Sequence, residues 1–135
     1  MIHFNYETDF TLSNEDAVAH WITKSIHAEE KILGQINYIL CNDDYLHNIN
    51  LQFLNHDTLT DIISFDYSKG KTISGDIFIS IDRVKDNAKV FKTAFKDELH
   101  RVIIHGILHF CGYKDKTPSE KQNMRHKEDF YISKR

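Results

Sequence analysis

The sequence predicts a single α+β domain over residues 1–135, built on a small mixed sheet of about four strands flanked by helices. Three observations predict it. The 135 residues are 41% hydrophobic and 27% charged, enough to bury one core without disulfide or metal staples. Segments with two-residue apolar alternation interleave with segments of helical period, and two of the strands lie close enough to form a hairpin. No internal repeat, low-complexity tract or linker divides the chain.

The elements follow in order. "IHFNYE" alternates and reads as a first strand. Ser13 is placed to cap a helix with Glu15 and Asp16 in its first turn and Val18, Ile22 and Ile26 on one stripe, Trp21 beside them, stopping near Gly34. "QINYILC" (35–41) is a strand, and Asn42 caps a helix over 42–54 with Leu46, Ile49, Asn50 and Phe53 on one side. Residues 55–61 show neither period and read as a loop. "IISFDY" (62–67), a turn at Gly70 and "GDIFISI" (75–81) form the hairpin. Asp82 is placed to cap "RVKDNAKVF". After a break near Lys96, the longest apolar helix runs from about Asp97 to Cys111, burying Leu99, Val102, Ile103, Ile107 and Phe110. Pro118 and Ser119 open a last amphipathic helix to about Tyr131.

Composition narrows the function classes. "MIHFNYETDF" has no basic region followed by an apolar run, and no apolar stretch approaches the ~20 residues that span a bilayer, so a cytoplasmic protein without membrane attachment is expected. Cys41 and Cys111 are expected as free thiols. Net charge is −3, which argues against a general nucleic-acid binder, yet it is unevenly spread. Residues 1–60 hold nine acidic and two basic side chains; the rest hold 11 and 15. The second part can hold a polyanion while the first repels it, although solvated helix faces account for the same charges.

One stretch carries chemistry. In "HGILHFCGYKD" (105–115), His105 and His109 are four apart on one helix, their Cβ atoms ~6 Å apart, so both imidazoles can reach one ion at ~2.0–2.1 Å. Gly112 can take the left-handed conformation that ends a helix, and three residues later Asp115 returns alongside. Such a pair alone is ordinarily two partly buried histidines; the glycine and the carboxylate make it a His, His, Asp site with open positions, the catalytic kind of zinc site. His100 points to another face, Cys111 is better placed as a small core residue, and His126 replaces Asp115 only if the last helix folds back over the site. The metalloprotease frame HExxHxxGxxH/D places its general base at Gly106, which disfavours a zinc peptidase.

The same stretch resembles the HGxLHLxGYDH signature of the YbeY family, metal-dependent endoribonucleases that mature ribosomal RNA in bacteria. "NLQFLNHDTLTDIISFDY" (50–67) is similar to the family's N-x-x-Y-R-x-x-D-x-P-T-D-V-L-S-F segment and "GDIFIS" (75–80) to its G-D-I-x-I-S strand, so three motifs match in order from about 49 to 115. The resemblance implies a single-strand-specific endoribonuclease in 16S rRNA 3'-end maturation, small-subunit assembly and quality control. It implies single-stranded RNA, rRNA and the ribosomal small subunit as partners, with no DNA. It further implies one divalent metal per chain, Zn²⁺ by preference, held by His105, His109 and Asp115, which would act through the water on the ion. A noncatalytic ribosome-assembly factor with a structural metal is the reading from another class.

The chain departs from the family at two places. Asp115 stands where the family has its third histidine, which bears on metal choice. Leu54 stands at the family's arginine and Leu59 at its proline; Arg101, Lys114 and Lys116 are the basic residues near the motif that can take over a phosphate contact. Asp61 and Asp76, which open the hairpin strands, either support a ligand histidine or cap backbone amides. Thr60 and Ser64 serve backbone groups in the same way, and His56 is a loop residue within reach of RNA. Lys85, Lys89, Lys92 and Lys96 are spaced as a helical stripe, Tyr113 is a candidate for stacking on a base, and Phe65 reads as core.

Overall fold

Among the described residues, 1–55 and 60–135 of the computed structural model, the chain runs β1 (Ile2–Tyr6), α1 (Glu15–Ala28), β2 (Ile32–Cys41), α2 (Asp43–Ile49), a π-helical turn (Asn50–Leu54), β3 (Ile62–Asp66), β4 (Thr72–Ser80), α3 (Ile81–Val90), α4 (Phe95–Phe110) and α5 (Pro118–Ile132). The strands form one sheet in the order β1-β2-β4-β3. The first three are parallel, and β3 is an antiparallel edge strand hairpinned to β4, with Ile62 opposite Ile79 and Phe65 opposite Asp76. This is the small mixed sheet the sequence predicts. His56, Asp57, Thr58 and Leu59 lie outside the described residues.

Two-residue alternation divides the sheet's faces. Ile73, Ile77 and Ile79 of β4 enter the main core with α1, α4 and α5, while Phe78 on the other face joins Ile63, Cys41 and Leu46 under α2. The five apolar residues expected on the long helix are all buried there, each worth ~1.5–3 kcal/mol if fully withdrawn from water. The Tyr38 hydroxyl donates to the Ile103 carbonyl at 2.9 Å, tying α4 to the centre of the sheet. Gly106 lets α4 sit close on the hairpin: a Cβ there would meet Ile77 Cδ1 at 2.9 Å and Ile62 Cδ1 at 3.3 Å. That approach brings the start of β3 beside the histidine turn of α4.

Several boundaries differ from the sequence expectation. Asn14, not Ser13, precedes α1 and makes no side-chain cap; the helix ends at Ala28, with Glu30 at φ 59°, and Gly34 lies inside β2. The Ser80 hydroxyl caps α3 by accepting from the Arg83 amide at 3.2 Å, while Asp82 accepts from the Asp43 amide at 3.0 Å. α3 stops at Val90 and Lys92 takes φ 54°, so Lys85, Lys89, Lys92 and Lys96 do not share one helix face. α5 is opened by a reciprocal cap between Thr117 and Glu120 just ahead of Pro118.

Candidate metal centre

α4 ends as its local sequence dictates. Gly112, at φ 108°, lets its own amide donate to the His109 carbonyl at 3.0 Å and the Tyr113 amide to the Leu108 carbonyl at 3.1 Å, the paired closure that stops a helix and reverses the chain. Asp115 thereby returns to the face that carries His105 and His109. His105 Nε2 and His109 Nε2 are 3.0 Å apart, and Asp115 Oδ2 lies 3.2 Å and 3.3 Å from them. Ligands held at ~2.0–2.1 Å around a tetrahedral ion are separated by roughly 3.3 Å, so the three donors fit a metal of that size. Their side chains remain 20%, 30% and 38% exposed for His105, His109 and Asp115, which leaves a face of the group open to solvent. The three form a group able to hold a metal ion.

A buried carboxylate orients the first of them. His105 Nδ1 lies 2.6 Å from Glu128 Oε2 on α5, which places the Nδ1 proton toward Glu128 and leaves Nε2 as a lone-pair donor. Burial alone would lower the His105 pKa; the hydrogen bond and charge of Glu128, with Asp115 and Asp61, outweigh it and raise the pKa above the ordinary value. The other Glu128 oxygen accepts from Arg101 at 3.0 Å, and Arg101 also reaches Asp129 at 2.7 Å. Sequence reasoning missed Glu128, although a signal existed: it sits on the buried stripe of α5 with Met124 and Tyr131, where an acid is costly without a partner.

The cleft around this group has a volume of about 490 Å³. Asp61 and Glu98 line it, and burial pushes both carboxyls above their ordinary pKa, against the pull of His105 on Asp61 and of Arg101 on Glu98. Asp61 therefore belongs to the cleft, but Glu128 is the carboxylate on the histidine. Asp76 instead accepts from Asn37 Nδ2 at 3.1 Å on the sheet. Thr60 donates weakly to the Ile62 carbonyl at 3.4 Å. Lys114 and Lys116 are exposed and do not line the cleft.

Other sequence candidates have structural duties. His100 is buried five residues before His105 with its Nδ1 accepting from Arg135 at 2.9 Å. It lines a larger cavity of about 620 Å³, whose Arg135 is already paired to Asp97 at 2.9 Å. Tyr113 donates to Glu29 Oε1 at 2.8 Å, and Lys127 and Tyr131 reach the other oxygen of that carboxylate, so Tyr113 braces the turn that carries Asp115. Burial would raise the Glu29 pKa, but these donors hold it below the ordinary carboxylate value. Cys111 is half-buried and its thiol is pushed up to about 11 by burial, and His126 stands outside the group.

The family model described as Endoribonuclease YbeY matches residues 3–135. The chain belongs to the YbeY family. Relatives named Endoribonuclease YbeY include one from Flavobacterium johnsoniae, 61% identical over 98% of this chain and 96% of its own length, and one from Flavobacterium psychrophilum, 57% identical over 96% and 92%. The solution structure of TM1509 from Thermotoga maritima shares the YbeY-type fold at a TM-score of 0.71 and 26% identity, over 98% of this chain and 87% of that one.

Proposed function

We propose that the chain is a metal-dependent endoribonuclease that hydrolyses phosphodiesters in single-stranded RNA, with His105, His109 and Asp115 holding one divalent ion. The observation that carries this reading is the 3.0–3.3 Å triangle of two imidazole nitrogens and one carboxylate oxygen, open to solvent on one side. Two imidazoles and a carboxylate form a donor set of catalytic zinc sites, which supports Zn²⁺ as the ion. When bound, a divalent ion supplies a Lewis acid for a phosphoryl oxygen and a nucleophilic water at neutral pH.

The chain's own side chains supply the rest. Glu128 holds His105 in the tautomer that presents Nε2, and Arg101 shares the charge of that buried carboxylate. Hydrolysis also needs a proton on the departing oxygen. Asp61 and Glu98, whose protonated forms burial favours in the same cleft, are the carboxyls placed to supply it. Gly106 supports this reading over a peptidase, because the position where a peptidase carries its general-base glutamate has no side chain here, and one placed there would crowd Ile77. The same reading takes ribosomal RNA as the substrate, in 16S 3'-end maturation, small-subunit assembly and quality control in the cytoplasm, and membership of the family supports it. Among the described residues no helix is long and apolar enough to cross a membrane.

The test pairs metal content with turnover. Wild type and His109→Ala are purified, assayed for bound metal by elemental analysis, and incubated with labelled single-stranded RNA and with casein. Near-stoichiometric metal and RNA cleavage in wild type, both lost in the variant, is the expected result. Metal present with RNA intact overturns the nuclease reading in favour of an assembly factor, cleaved casein favours a peptidase, and no metal in wild type removes the site.

A further inference from the structure

Among the side chains that line the metal cleft without a part in the reaction above are Asn87, Phe91 and Arg125. Asn87 and Phe91 are four residues apart where α3 ends, so they lie on one face, and both border the cleft. Phe91 is 58% exposed, and the Asn87 carboxamide has no partner among the described residues. Arg125 is exposed on α5, one turn before Glu128. The cleft's other guanidinium, Arg101, is committed to Glu128 and Asp129. Arg125 makes no hydrogen bond or ion pair among the described residues and feels Glu98 only at longer range.

We propose that Phe91, Asn87 and Arg125 form a nucleotide-recognition subsite beside the metal centre, in which one unpaired base stacks on the Phe91 ring and Arg125 takes an adjoining phosphate. This rests on the RNA-hydrolase reading of the same cleft. An exposed aromatic ring stacks any base, but only one freed from its own helical neighbours, so the subsite selects single strands over duplex. The Asn87 carboxamide, one turn from the ring, is a donor and acceptor for the stacked base's edge. A guanidinium suits the phosphate because it offers paired donors in a fixed fork. The carboxylates Asp115 and Glu128 also line the cleft and repel a polyanion, so the unpaired cation fixes the path the strand takes. The lining residues of α4 run from Glu98 to His109, about 16 Å at the helical rise, against 3.4 Å per nucleotide in a stacked strand, so there is room for a nucleotide next to the one at the metal group.

The experiment uses the full metal-loaded chain and a labelled oligoribonucleotide, single-stranded and as a duplex. Affinity is read by fluorescence anisotropy across a salt series, and KM, kcat and metal content are measured in parallel for wild type, Phe91→Ala, Phe91→Trp, Arg125→Gln and Arg125→Lys. Phe91→Ala is expected to weaken single-strand binding and raise KM roughly 5- to 100-fold, with kcat and metal content within about twofold, and Phe91→Trp to restore both. Arg125→Gln is expected to lower the slope of log affinity against log salt by about 0.7, with Arg125→Lys recovering it. Variants that bind and cleave like wild type overturn the subsite while leaving the hydrolase reading intact. Binding that depends on Phe91 and Arg125 without cleavage in wild type keeps the subsite and overturns the hydrolase reading; no RNA binding by wild type overturns both.

Discussion

His100 and His105 are five residues apart on α4, yet their surroundings do opposite things to them. His100 is 5% exposed, its ring centroid 5.3 Å from that of Trp21, with Arg135 donating to Nδ1. Burial, then Arg135 and Lys96, push its pKa down to about 4, so it stays neutral and packed. His105 has Glu128 on Nδ1 in place of a guanidinium, and its pKa rises in spite of burial. Burial opposes the charged form of both. The sign of the charge on the hydrogen-bond partner decides which one becomes a packed neutral ring and which one turns its free nitrogen toward a shared point.

The largest expected effect separates the two directly. His105→Ala should lose stoichiometric metal and cut RNA cleavage by more than ~100-fold, while His100→Gln should keep its metal; elemental analysis of both variants measures this, and metal retained in the first would break the comparison. Glu128→Gln should come next, lowering metal affinity ~10- to 100-fold in a competitive chelator titration, because the imidazole loses the carboxylate that orients it and raises its basicity. Equal affinity in wild type and variant would show that Glu128 serves only Arg101.

His100 falls from an ordinary 6.5 to about 4 on folding, so between those values the unfolded chain binds the extra proton. Its contribution to stability is complete above about pH 6.5 and is lost as pH falls toward 4. Denaturant titrations of wild type and His100→Phe across that window should show a shallower loss in the variant, and parallel curves would remove the assignment. The smallest effect is expected at the carboxylate. Asp115→His should still bind one metal per chain, with zinc favoured further over manganese, as an imidazole replaces a hard oxygen donor. Competition between the two ions reads this, and an unchanged preference would show that Asp115 does not contact the metal.

Which parts of this were legible in the sequence follows the distance over which the geometry is set. A four-residue helical spacing brings His105 and His109 together, and a glycine at the helix end returns Asp115 within three residues, so local rules suffice for that triangle. The same holds for the four strands and for the Asn42 cap, whose Oδ1 accepts from the Tyr45 amide at 2.9 Å. The helix stops before Gly34 because Glu30 takes a left-handed turn early, and Ser80 rather than Asp82 caps α3 because its hydroxyl reaches the helix amide first.

The sequence by itself determined the fold class, the order of elements and the three donors at the end of α4, because each depends on residues within one or two turns of one another. Only the tertiary structure decided that Glu128 faces His105, that Arg101 is occupied while Arg125 is not, and that Phe91 borders the cleft. Those facts depend on how α3 and α5 pack against α4. That packing is set by burial of apolar surface across the whole core, which has no direction along the chain and leaves no spacing in the sequence to read.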